Sequence, residues 1–180
     1  MAGPVLGVEL AGPVSGEALG RLRRMLIDLS DRFVEERPGY FDFNVVAERL
    51  GAVDGGGLGP SRPFLVVVAG PGVGDEASFE AEHADMPDLE PLIGFAPTHD
   101  VSVIAMCNGD VDHVVTALLT VGVMEIVGGV ASVEIHDRHV PVVAELPGLV
   151  AMMSEPWHFA FGTSELVWAW AAHPDFRLVK

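Results

Sequence analysis

Two short apolar runs, Phe64-Leu-Val-Val-Val-Ala69 and Val101-Ser-Val-Ile-Ala-Met106, most constrain what this 180-residue chain can fold into. Each is strand-length rather than helix-length and rich in β-branched side chains, so each reads as a strand of a covered sheet, Phe64–Ala69 buried on both faces. Both lie within Pro63–Asp137, a stretch of 75 residues that contains no Lys or Arg and thirteen acidic side chains. Strongly apolar strands inside an acid-rich segment rule out a solvated tail. They describe a folded domain with an acidic skin.

The charge is lopsided. Residues 63–180 carry 17 acids against Arg138, Arg177 and Lys180, whereas residues 1–62 carry nine acids against seven Arg, within a net charge of −16. A single-sign field of this kind repels anions and attracts cationic partners. Nucleic-acid binding is excluded on this ground, since such affinity rests on cationic contacts to phosphate, and an anionic membrane surface is disfavoured for the same reason. Cys107 is the sole cysteine, so no intrachain disulfide can form. The N-terminus lacks a basic, then apolar, leader, and no uninterrupted apolar run reaches the roughly 18 residues of a membrane span. A cytoplasmic protein is expected.

Along the chain, Val5–Leu10 reads as a strand closed by Gly12-Pro13. Ser15 stands as an N-cap for a helix expected to continue to about Glu36, because Leu19, Leu22, Leu26, Leu29 and Phe33 recur at three- and four-residue steps. Tyr40–Leu50 reads as a strand entering a helical turn. Residues 54–63, rich in Gly and Pro, are expected to form a flexible loop. Residues 78–92 read as irregular, His99–Cys107 as a strand, and Asp110 as the cap of a helix from Val111 to Thr120 or beyond. Strands are expected at Ala131–Ile135, Val140–Val143, Leu149–Met153, Trp157–Phe161 and Phe176–Val179, with a helix over Ser164–Ala172 capped by Thr163. The pattern is a single α+β domain: a mixed or mainly antiparallel sheet with two or three helices packed on one side.

No motif specifies a reaction. Gly70-Pro-Gly-Val-Gly-Asp75 follows a strand, but its third Gly is one residue early for a dinucleotide fingerprint, and it lacks the Lys of a Walker loop. The seven histidines include adjacent pairs such as Glu82-His83 and His99-Asp100, but no His-Glu-x-x-His spacing, so neither a metal nor another cofactor is expected. Cys107, at a strand end before a helix, could form a small enzymatic or ligand site with His99, His113 and Asp110. A reactive thiolate wants positive charge, however, and Asp110 and Asp112 are the neighbours.

The C-terminal segment Phe161-Gly-Thr-Ser-Glu-Leu-Val-Trp-Ala-Trp-Ala-Ala-His-Pro-Asp-Phe-Arg-Leu-Val-Lys180, and more loosely Pro97–Ile135, resembles uncharacterised small cytoplasmic proteins of actinobacteria. Some of these are grouped with immunity proteins of polymorphic toxin systems. The resemblance implies a non-enzymatic inhibitor that binds a basic toxin domain. The acids assigned to such a partner are Asp75, Glu76, Glu80, Glu82, Asp85, Asp88 and Glu90 of the acidic loop, with Asp110 and Asp112 of the following turn. A homodimer through the Trp-rich helix is the alternative use of the exposed aromatic side chains.

Overall fold

The computed structural model describes residues 3–52, 61–72 and 76–179. Its frame is an eight-stranded antiparallel sheet: β1 (Val5–Leu10), β2 (Ser30–Arg37), β3 (Tyr40–Val46), β4 (Ser61–Ala69), β5 (His99–Ala105), β6 (Val130–Glu134), β7 (Leu149–Met153) and β8 (Phe159–Gly162). The strand order is β2-β3-β4-β5-β1-β6-β8-β7. The two apolar runs are neighbours near the middle, with Phe64 opposite Ala105 and Val68 opposite Val101. The α+β class with an antiparallel sheet stands as expected.

One face of the sheet carries the main core. Leu6, Val8 and Leu10 of β1 alternate onto it, and α4 (Asp110–Val127) lies across them, flanked by α1 (Gly16–Leu29) and α6 (Ser164–Ala171). Because α4 is enclosed on several sides, its apolar residues do not form a narrow stripe. Thr116 and Thr120 are buried within it, their hydroxyls donating to the carbonyls of Asp112 and Thr116 at 2.6 and 2.8 Å. The opposite face is covered by the shorter helices α2 (Glu76–His83) and α3 (Glu90–Ile93), with Leu89, Ile93, Met153 and Phe161 forming a second cluster. Helices therefore occupy both faces, not one.

Several sequence expectations are corrected. The first helix stops at Leu29 and Phe33 lies on β2, where it is opposite Phe43. The Arg49 guanidinium donates to the Asp28 and Ser30 carbonyls at 2.9 and 2.8 Å, closing the helix end, and pairing with β3 takes up the residues from Ser30 to Arg37. β4 alternates between buried and half-buried positions because its second face is only partly covered. The acidic stretch is not irregular: Phe79 and His83, four residues apart, stack at 4.1 Å along α2. Val140–Val143 is a helical turn, α5, in which Pro141 takes a first-turn position that needs no N–H donor. Residues 176–179 form no strand; the Leu178 N–H donates to His113 Nδ1 at 3.2 Å and its side chain is buried against α4.

Arg23, Arg32 and Arg62, three of the seven Arg in residues 1–62, form ion pairs within the fold. Arg23 binds Glu35 bidentately at 2.6 and 2.8 Å, linking α1 to β2, and Arg32 binds Asp42 across the β2–β3 hairpin. Arg62 and Asp112 form a buried bidentate pair at 2.7 and 2.6 Å that fastens the start of β4 to the first turn of α4. These three guanidinium groups are spent away from the acids of α2 and α3.

Candidate functional site

Alternation in β1 that sends Leu6, Val8 and Leu10 into the core must send Val5, Gly7 and Glu9 to the other face. Antiparallel register then fixes their neighbours. Glu9 lies opposite Asp100 and Gly7 opposite Ser102 on β5, while Gly7 lies opposite Ser132 on β6. Like charges directly opposite on one face of a sheet are destabilising, yet Glu9 and Asp100 are only 4% and 2% exposed. α2 passes over them and closes a cavity of about 220 Å³ whose floor is Gly7 and whose walls include Glu82, His83, Phe159 and Glu134. A Cβ at Gly7 would come within 2.6 Å of the Ser132 hydroxyl, so only glycine keeps that floor low.

Among the described residues, His83 is the one cationic side chain in the cavity wall. Its Nε2–H donates to Glu9 Oε2 at 3.0 Å and its Nδ1–H to the Phe79 carbonyl at 2.9 Å. Burial alone would lower its pKa, but the hydrogen bond and charge of Glu9, the Phe79 carbonyl and the Asp100 charge raise it to about 9. The imidazolium is therefore the resting form at neutral pH. Asp100 is pushed up to about 6 by burial and by the Glu82 and Glu9 charges, against the Ser102 hydroxyl and His83, which favour its ionised form. The Ser102 hydroxyl donates to Asp100 Oδ2 at 3.0 Å, whereas Asp100 Oδ1, fully buried, has no hydrogen-bond partner among the described residues. Glu82 at the rim is also raised, by desolvation, opposed by His83 and reinforced by Glu9.

Four carboxylates, Glu9, Glu82, Asp100 and Glu134, thus share one small cavity with one imidazolium. Such a constellation can bind positive charge. Among the described residues no group of three His, Cys, Asp or Glu side chains is arranged to hold a metal ion. Both His83 nitrogens are already engaged. The volume lies below the roughly 300–1,000 Å³ of pockets for drug-sized ligands, which points to a small cationic group.

The acids assigned from the sequence separate into three groups. Glu76, Glu80 and Glu82 on α2, Asp85 and Asp88 after it, and Glu90 opening α3 are all exposed on the side that covers the cavity. Asp110 is exposed on the main-core side and pairs with Arg177 at 3.0 Å. Asp112 has no exposure: it is paired with Arg62, and its Oδ2 accepts the Gly109 N–H at 2.6 Å, so it cannot meet a partner, and it rather than Asp110 closes the helix end. Asp75 lies outside the described residues.

Cys107, His99 and His113 do not form one site. His99 opens β5 and Cys107 follows its end, eight residues apart and therefore about 26 Å along an extended chain. His99 Nε2–H donates to the Pro71 carbonyl at 3.0 Å, and His113 is buried against Leu178. His136 and His139 stack edge-on beside buried Trp170, a packing role in which burial, then Arg138 and His136, lower the His139 pKa.

A family model covers residues 2–180, nearly the whole of the fold just described. The chain belongs to DUF6368, a family of unknown function. No curated protein and no solved structure matches it. The DUF6368 site must therefore be read from its own chemistry. No described helix is long and apolar enough to cross a membrane.

Proposed function

We propose that this DUF6368 protein is a non-enzymatic binding protein that captures a basic protein partner with the acidic side of its sheet, as an immunity-type inhibitor would capture a toxin domain. The observation that carries this reading is the run of exposed carboxylates from Glu76 to Glu90 on α2, α3 and their connection, next to a cavity that is itself acidic. Complementary charge would speed encounter, and a buried contact would set the lifetime of the complex. The resemblance of the C-terminal segment to immunity proteins agrees with it.

Affinity capture from the source lysate, run in parallel with wild type and the variant Glu76→Lys/Glu80→Lys/Asp85→Lys/Asp88→Lys, tests this. A basic protein should be retained by wild type, released as salt rises and lost with the charge-reversed variant. Equal retention by the two baits, or partners that are acidic only, would refute the reading.

A second reading has its own observation. Trp168 is 58% exposed beside an apolar groove of about 570 Å³ lined by Leu50, Leu118 and Ala172, which favours self-association through α6. Light scattering of wild type and Trp168→Ser separates a dimer built this way from a monomer.

A further inference from the structure

We propose that the cavity beneath α2 is a receptor for a single alkylammonium or alkylguanidinium group, with Asp100 Oδ1 as its buried acceptor. The inference deepens the reading above, on which it rests for the source of that group: a Lys or Arg side chain of the basic partner.

Four observations converge on this chemistry. Asp100 is 2% exposed and lines the cavity, and among the described residues its Oδ1 has no hydrogen-bond partner although the Ser102 hydroxyl satisfies Oδ2. A buried carboxylate oxygen left in this way is rare in folded proteins and calls for a donor. Second, the facing charges are unbalanced: Glu9, Glu82 and Glu134 join Asp100 against the single His83 imidazolium, a formal excess of three negative charges. His83 is spent on Glu9 and the Phe79 carbonyl, so it offers Asp100 charge but no proton. Third, apart from Ser102 and Ser132 the remaining walls are apolar or aromatic. Val5, Met86 and Phe159 can receive the methylene stem of an amine, and an aromatic face attracts a cation. Fourth, Gly7 creates the space, because a methyl there would close on Ser132 Oγ. A neutral donor would satisfy Asp100 Oδ1 but leave the excess negative charge uncompensated, and an anion would meet four carboxylates.

The same geometry explains why the two strand acids coexist. Glu9 and Asp100 are register partners, and a donor bound between them and Glu134 would turn a repulsive pair into two halves of one recognition site.

The test uses the ¹⁵N-labelled full chain titrated with n-butylammonium, n-butylguanidinium, n-butanol and the capped peptide Ac-Gly-Arg-Gly-NH2, monitored by amide shifts. Both small cations should saturate, with shifts concentrated at Gly7, Ser102 and Ser132, and n-butanol should not. Asp100→Asn, which keeps the shape, should weaken the cations about ten- to hundredfold while its spectrum remains that of a folded protein. Gly7→Ala should weaken them by filling the floor, leaving Asp100 in place. Equal binding by Asp100→Asn, or shifts spread over the acidic surface instead of the cavity, overturns the proposal. The peptide distinguishes the source. If it binds with the same shifts, a partner's side chain can enter. If only the small cations bind, the receptor stands for a free amine, and the partner reading loses its anchor. Loss of lysate capture by the charge-reversed variant with no cation binding here would instead leave the partner reading intact and remove this one.

Discussion

Replacing Asp100 by Asn should make the protein more stable, not less. Asp100 titrates at about 6 in the fold against an ordinary 3.8, roughly two pH units or about 3 kcal/mol of penalty on its ionised form. A group raised in this way binds more protons folded than unfolded between the two values, so stability falls as pH rises through that window and stays low above it. At pH 8 the full penalty operates. At pH 5 about half of it has been relieved, because the native carboxyl is largely protonated while the unfolded one is not. His83 adds a slope of the same sign at higher pH: its folded value of about 9 against 6.5 gives stability that is present below 6.5 and lost through 9. Its partly exposed ring reduces that contribution to about 1–2 kcal/mol. Urea denaturation of wild type, monitored by the buried Trp170, should therefore show stability declining from pH 5 to pH 9. Lower pH is avoided because Glu35, whose carboxyl the Arg23 hydrogen bond lowers despite some desolvation, loses its stabilising charge there. Asn keeps an oxygen for the Ser102 hydroxyl and offers an N–H₂ to its acidic neighbours. Asp100→Asn should gain about 1–3 kcal/mol at pH 8, roughly half as much at pH 5, and flatten the lower part of the profile. A wild type whose stability rises from pH 6 to pH 9 would refute the argument, as would an Asp100→Asn variant that loses more than about 1 kcal/mol at pH 8.

The same geometry sets three further outcomes. Arg62→Met leaves the Asp112 charge buried without its partner and should cost about 3–5 kcal/mol, whereas Arg62→Met/Asp112→Leu should recover most of it, short of about 1 kcal/mol for the lost Gly109 N–H acceptor; urea midpoints of the two variants decide. Gly129→Ala should cost at least about 2 kcal/mol in the same assay, because φ is +89° and the added Cβ would lie 2.5 Å from the Glu9 carbonyl oxygen. Trp168→Ser should stay within about 1 kcal/mol of wild type in thermal melts, since the side chain is mostly in solvent; a larger loss at high protein concentration alone marks self-association.

The strands that carry the fold were legible because their signals are local. The run at Phe64–Ala69, the alternation of Tyr40–Val46 and the alternation within Val5–Leu10 each state a strand without reference to the rest of the chain. Where local signals were ambiguous, long-range pairing decided. Leu29 to Phe33 is a four-residue step that suits a helix, but the partner waiting at Tyr40–Val46 made the second half a strand. Val140–Val143 has the side chains of a strand and lies where no sheet edge accepts one.

The cavity was invisible for a related reason. Glu9 and Asp100 stand 91 positions apart, and each looks like an isolated acid interrupting an apolar strand. Only the register Glu9↔Asp100 brings them face to face, and only α2 folding back over β1 brings His83 to Glu9. A weak signal was nonetheless present. A carboxylate inside a strand must point to the face opposite the core, and a sheet whose second face were open to water would leave it exposed. Two such acids on central strands, Asp100 within the stretch that holds no Lys or Arg, require either a solvated face or a covered one that manages their charge. The histidine next to Glu82 is the only side chain between Pro63 and His99 able to carry positive charge, so its assignment to that task is settled once the face is known to be covered. The thirteen-acid stretch is thereby divided by physics rather than by count. Asp112 is consumed by Arg62 and Asp100 is turned inward, while Asp110, Glu125 and Asp137 are exposed singly elsewhere, leaving Glu76–Glu90 as the one cluster of the described acids that faces solvent together. If cation capture is its purpose, the exposed acids govern how fast a partner arrives and Asp100 governs how long it stays. Charge reversal on α2 should then slow association while Asp100→Asn speeds dissociation, a split that salt-dependent stopped-flow kinetics can resolve.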